Sequence, residues 1–124
     1  LYAGRISNGK GLPELFQAMS RIRASGLQLV LAGANRDPAY GELLRSLIAD
    51  LDLGNRVRFA GLLQEAELIE EFRRAAALIL PSHQETAPMV IQQAMAAGLP
   101  VIATEVGGIP SQIEHGVTGL MYRP

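Results

Sequence analysis

The feature that most limits what this chain can fold into is its alternation of short apolar runs with longer stretches whose apolar residues recur every three to four positions. Short apolar runs suit strands, and the 3.6-residue spacing suits amphipathic helices. Alternating the two builds βαβ units around a parallel sheet. Runs such as Leu27–Gly33 and Ala76–Pro81 are apolar nearly throughout, as strands must be when helices cover both faces of their sheet.

Read along the chain, Leu1–Gly4 is the tail of a first strand. A helix follows, with Pro13 in its first turn, Leu12, Leu15, Phe16, Met19 and Ile22 on its apolar side, and Gly26 ending it. Leu27–Gly33 is the second strand. Asp37 caps a second helix that has Pro38 at its first position, carries Leu43, Leu44, Leu47, Ile48 and Leu51, and stops at Gly54-Asn55. Arg56–Ala60 alternates charged and apolar residues, which places a strand with one wet face near a sheet edge. The helix Glu65–Ala75 turns Leu68, Ile69 and Phe72 inward. Ala76–Pro81, Leu99–Thr104 and Gly119–Tyr122 complete the strands, with a helix over Pro88–Ala97 and a helical turn near Ile109–Glu114 between them. The expected fold is α/β: one domain, residues 1–124, built as a Rossmann-like doubly wound sheet of about six parallel strands in the order 3-2-1-4-5-6, with helices on both faces.

Composition bounds the function. A formal net charge of −1 argues against nucleic acid or an anionic membrane held by bulk attraction, so any bound anion must be gripped locally. The absence of cysteine excludes a disulfide framework and a thiolate metal site, and suits a cytoplasmic protein. No apolar run approaches the roughly 20 residues of a membrane span. The chain starts at Leu1 inside one apolar segment and stops at Pro124 just past another, so it reads as a piece of a longer protein. Any membrane association of that parent would be encoded elsewhere.

In a doubly wound sheet a ligand binds beyond the carboxyl ends of the strands, where the strand order reverses between strands one and four. Two loops should therefore carry the function. The first, Gly4-Arg5-Ile6-Ser7-Asn8-Gly9-Lys10-Gly11, has three glycines and two cations at the mouth of a helix, whose free N–H groups favour an anion. Lys10 is the only lysine, against ten arginines. The pattern lacks the Gly-x4-Gly-Lys-Ser/Thr of a P-loop, and a glycine-rich turn with two solvated charges reads equally well. The second loop runs Pro81-Ser82-His83-Gln84-Glu85-Thr86-Ala87-Pro88-Met89 into a helix whose first N–H groups, at Met89 and Val90, would face the same crevice. Glu85 can accept two hydrogen bonds from sugar hydroxyls, or can serve only the helix dipole.

Other candidates have blander readings. His83 and His115 fit polar loop positions, and Asp50-Leu51-Asp52 fits a solvated helix end better than a metal site. No Ser-His-Asp triad or paired-carboxylate arrangement is visible.

Taken together these segments resemble the C-terminal domain of glycosyltransferase family 4, group 1 enzymes of the two-domain GT-B architecture. The resemblance runs from Gly4-Arg5 and Lys10-Gly11 through Leu29–Gly33 and Val57–Gly61, and is densest from Pro81-Ser82 through Glu85, Ala94–Thr104 and Gly107-Gly108-Ile109-Pro110 to Gly116–Gly119. It implies a retaining transferase that uses a nucleoside-diphosphate sugar, needs no metal or other cofactor, and holds its acceptor on an N-terminal domain of the parent chain. By resemblance, Arg5 and Lys10 would clamp the donor diphosphate and Glu85 would contact the sugar. Gly4 and the backbone of Pro88, Met89 and Val90 would approach phosphate and sugar, while Leu62 and Leu63 would border the base. The isolated domain would bind donor without turning it over.

Three positions depart from the family pattern. Gln93 stands where a second Glu usually holds the ribose, Thr86-Ala87-Pro88 replaces a Gly-Phe-Gly stretch, and Ser111 replaces a Glu. Two other functions fit the same residues: a nucleotide-sugar 2-epimerase of this architecture, or a non-catalytic module whose donor site has decayed at Gln93.

Overall fold

The computed structural model describes residues 1–23 and 26–124. Strand β1 (Tyr2–Ala3) leads to helix α1 (Leu12–Arg21), β2 (Leu29–Ala32), α2 (Pro38–Asp50), β3 (Val57–Gly61) and α3 (Glu65–Arg74). Then come β4 (Leu78–Leu80), α4 (Met89–Ala96), β5 (Val101–Thr104), a 3-10 turn (Ile109–Ser111) and β6 (Gly119–Tyr122). All expected elements are present, most of them shorter at one or both ends, while β6 has the expected bounds and β3 is shifted by one residue. Helix α1 stops at Arg21, and Ile22 is already extended, so the helix ends before Gly26; the intervening residues 24–25 lie outside the described residues.

Parallel ladders join β1-β2-β3, with a register shift between Leu31 and Ala32 against β3, and, separately, β4-β5-β6. Leu1 closes the gap between them. Its nitrogen donates to Ala77 O at 2.9 Å, and Ile79 N donates to Leu1 O at 2.8 Å. That is the slanted pair of bonds a parallel ladder makes, and it sets the strands in the order 3-2-1-4-5-6. Strand β1 is so short that this one residue carries the junction.

Local chemistry explains the helix ends. Asp37 Oδ1 accepts from Tyr40 N at 3.2 Å, with Pro38 pre-set in the first turn. At α3 the cap is Gln64, whose N–H is satisfied by Glu67 Oε2 at 2.7 Å. The core lies along the central strands: Tyr2, Leu31, Leu78 and Val101 are fully buried, with Phe16, Leu44 and Ile91 packed over them from the helices. Edge strands are wetter, as Phe59 on β3 and Leu120 on β6 attest. Two expected core residues, Leu43 and Ile69, are exposed. Each sits about 100° round its helix from a buried or half-buried neighbour, Leu44 or Leu68, and the sheet covers too narrow a stripe to reach both. Ile22, past the end of α1, is exposed for want of a helix to hold it inward. Among the described residues, no helix is long and apolar enough to cross a membrane.

Candidate functional site

Strands β1 and β4 are neighbours, so the loops that follow them meet. His83 N donates to Gly9 O at 2.9 Å, tying one loop to the other through backbone. Gly11 closes the contact from below. It holds φ at +65°, and a Cβ there would stand 1.9 Å from Pro81 O, so neither the conformation nor the space admits a side chain. Beneath the first loop, the buried Tyr2 hydroxyl donates to Arg5 O at 2.7 Å. Burial raises the Tyr2 pKa well above its ordinary value near 10, and the charge of Glu85 adds to the rise. The phenol therefore stays a neutral donor that fixes the turn carrying Arg5.

Where the loops touch, their chemistry converges. Lys10 Nζ lies 2.6 Å from Glu85 Oε1, with the two side chains only 21% and 14% exposed. The hydroxyl of the fully buried Ser82 donates to the same oxygen at 2.6 Å. Thr104 Oγ1, at the end of β5, in turn donates to Ser82 O. Glu85 is also pinned from the side. A Cβ on Gly107 would fall 1.6 Å from Glu85 O, and one on Gly108 would fall 1.8 Å from Thr86 O. The glycine pair is thus a bed on which the backbone of residues 85–86 lies.

Beside this cluster opens a cavity of about 560 Å³. Its floor is the backbone at the ends of β1 and β2, from Gly4 and from Ala32 to Ala34. Leu62, Leu63 and Leu68 form an apolar wall, Val90 and Gln93 at the start of α4 form another, and Arg5 and Arg36 supply charge. A second cavity of similar size lies among apolar side chains near the amino ends of β2 and β4. It lies away from the two loops, at the end of the sheet where open α/β folds do not bind ligands.

The expected site residues divide in two. Gly4, Arg5, Leu62, Leu63, Val90 and Gln93 line the cavity, whereas Lys10 and Glu85 pair with each other beside it. Pro88 sits at the cap of α4, and the side chain of Met89 is 70% exposed and off the cavity wall. Sequence reasoning missed Arg36, because it weighed the loops after β1, β3 and β4 and passed over the loop after β2, whose place next to the switch point was the available signal. It also missed Ser82 and Thr104, whose roles appear only once β4 and β5 are paired. His83 Nε2 lies 3.4 Å from the exposed Glu14, while His115 Nδ1 accepts from Met121 N and so ties its turn to β6. Asp50 and Asp52 are exposed at the end of α2, Asp52 in the left-handed region.

Comparison with known proteins gives the same region a context. The family described as glycosyl transferases group 1 matches residues 1–124. The chain is 31% identical to a D-inositol 3-phosphate glycosyltransferase of Corynebacterium efficiens, over 97% of this chain and 30% of that protein. It is 32% identical to a glycogen synthase of Mycobacterium tuberculosis, over 100% of this chain and 30% of that one. Among solved structures, Anabaena Alr3699/HepE in complex with UDP and glucose superposes with a TM-score of 0.92 at 29% identity, over 99% of this chain and 34% of that chain. The C-terminal domain of the group 1 protein LpcC from Francisella tularensis gives 0.87 at 25% identity, over 99% of this chain and 66% of that domain. The chain thus spans about 30% of the length of the curated relatives it matches.

Proposed function

Since this chain belongs to the group 1 glycosyl transferases, we propose that it is the donor-binding half of a retaining, metal-independent transferase, holding a nucleoside-diphosphate sugar for transfer to an acceptor on an N-terminal domain of its parent. The observation that carries this reading is the Ser82–Glu85–Lys10 cluster standing beside a cavity that holds Arg5 and an apolar wall. An arriving diphosphate offers Lys10 and Arg5 a doubly charged partner, reinforced by the free N–H groups that open α1 and α4. Glu85, still held by Ser82, then has lone pairs for sugar hydroxyls. The nucleoside fits the cavity, with its base against Leu62 and Leu63 and its ribose near the Gln93 amide, which can both donate and accept.

In transfer, the bond from the anomeric carbon to the diphosphate oxygen breaks and the electron pair leaves with the nucleoside diphosphate. The acceptor oxygen bonds to that carbon on the same face and passes its proton to the departing diphosphate oxygen. The two cations offset the charge that grows on the leaving group, the part a metal ion plays in other transferases. Calorimetric titration of the chain with UDP-glucose, GDP-mannose and ADP-glucose tests the reading. Saturable binding of at least one is expected, weakened tenfold or more by Arg5→Ala; silence toward all three at millimolar concentration sinks it.

A further inference from the structure

Among the described residues, two arginines and no carboxylate line the cavity. Arg5, on the loop after β1, is accounted for by the diphosphate. Arg36 is not. It lies on the loop after β2, one strand further from the switch point, and among the described residues its guanidinium has no hydrogen-bond or ion-pair partner within the protein. The adjacent acid does not engage it, since Asp37 caps α2 through Tyr40 N.

The backbone on either side of Arg36 is anchored. Ile6 N donates to Ala34 O at 3.0 Å, and Asn35 Oδ1 accepts from Asp37 N at 3.0 Å. A long side chain launched from a fixed turn gives up less freedom on binding than one launched from a loose loop. Strand spacing then orders the ligand. With the diphosphate at β1 and β4, a nucleotide lying across the strand ends reaches β2 after one spacing and β3 after two, about 10 Å away. The apolar wall of Leu62 and Leu63 follows β3, so the base lies there, with Arg36 at its edge.

Resting on the donor-binding reading above, we propose that Arg36 reads the nucleobase and selects one that presents a carbonyl oxygen, uracil or guanine, over adenine. A guanidinium is donor-only, a planar fork of N–H groups with no acceptor. Guanine offers O6 and N7 and uracil offers O4, all acceptors, whereas adenine puts an N6–H₂ donor at the corresponding position. Leucine side chains hold any flat base equally, so the discrimination falls to Arg36.

Titration of the 124-residue chain with UDP, GDP and ADP tests this. The unaltered chain binds UDP or GDP at least about tenfold more tightly than ADP. Arg36→Ala brings all three within threefold of one another, by weakening the favoured one. Arg36→Lys, which is also donor-only but loses the fork, weakens the favoured nucleotide while keeping part of its preference over ADP. The proposal is overturned if ADP binds as well as the others, or if Arg36→Ala weakens all three equally, since that marks a contact to phosphate. Those results leave the donor-binding reading standing. Failure of the unaltered chain to bind any nucleotide overturns both.

Discussion

Gly107→Ala tests how the site is built. Gly107 holds φ at +53°, and a Cβ would sit 1.6 Å from Glu85 O and 2.8 Å from its carbonyl carbon. Contacts to a Cβ essentially never fall under 3.0 Å, so the two segments must separate by about 1.4 Å. Shifting Glu85 by that much stretches its 2.6 Å contacts with Lys10 and Ser82 to about 4 Å, outside hydrogen-bond range. The left-handed backbone adds about 1–2 kcal/mol of strain, and loosening two charge-assisted contacts of a mostly buried carboxylate adds about as much again. A loss of about 2–4 kcal/mol lowers the melting temperature by roughly 10 °C and leaves the domain folded. Binding separates the cause from general damage. Titrated in parallel, UDP holds its Kd within threefold, because the cavity wall of Arg5, Leu62 and Gln93 does not rest on Gly107. The extra affinity that the sugar gives UDP-glucose disappears. Gly98→Ala is the control: at φ +72° it carries the same kind of strain, but nothing lies within 4 Å of its Cβ. It should cost stability and leave the ratio of the two affinities intact. A Gly107→Ala chain that also keeps that ratio would refute the argument that the glycine pair holds Glu85 in place.

Three further outcomes are expected. Gln93→Glu replaces an amide on the cavity wall with a carboxylate, and charge-assisted acceptance from ribose hydroxyls should tighten UDP binding several-fold; a weaker complex in the same titration would remove Gln93 from the ribose. Glu85→Gln leaves UDP affinity within about threefold or improves it, and abolishes the preference for UDP-glucose over UDP. Stability should fall as pH rises above about 10, by as much as 1.4 kcal/mol per pH unit for one group. The sign follows from Tyr2: with its folded pKa raised, the native state keeps a proton that the unfolded chain loses, so the contribution is whole below 10 and is lost above it. Chemical denaturation between pH 8 and 11 measures the slope, and Tyr2→Phe removes one share of it, with Tyr40 and Tyr122, also raised by burial, supplying the rest.

The fold was legible because its signals are local. Helical spacing, Asp37-Pro38 and the Gly98 stop each act within a turn or two, and the order of strands follows from crossovers whose hand is nearly fixed. Most of what eluded the sequence depends on contacts between elements, but one miss is local. The capping Gln64 looks like any polar residue until Glu67 is seen to reach back to it. Ile69 satisfies the helical period as well as Phe72 does, and only the width of the covered face tells them apart. At the site, sequence reasoning located both loops and missed how they hold each other. That Gly107 and Gly108 serve Glu85, some twenty residues away, and that Thr104 holds Ser82, appears only when β5 lies beside β4. Arg36 shows the opposite limit. The residues after it were legible as a helix cap, and only the loop's place beside the switch point hinted that it borders a cavity lined largely from the ends of β1 and β2.

On the proposed donor-binding reading, the Lys10–Glu85 pair explains how a carboxylate and a phosphate-binding cation can share one crevice. Without a ligand, the cation and the carboxylate satisfy each other, and neither is left buried without a partner, which would cost several kcal/mol. A diphosphate arriving alone draws Lys10 away and leaves Glu85 with the Ser82 hydroxyl as its one remaining donor. A nucleotide that carries its sugar brings replacements for the ammonium, in hydroxyls placed next to the carboxylate. The exchange is then balanced for the intact donor and unbalanced for the nucleoside diphosphate left after transfer. On the proposed donor-binding reading, a preference for substrate over product would rest on one shared oxygen, Glu85 Oε1, and the glycines beneath it would matter because that oxygen must stay where Lys10 and Ser82 can both reach it.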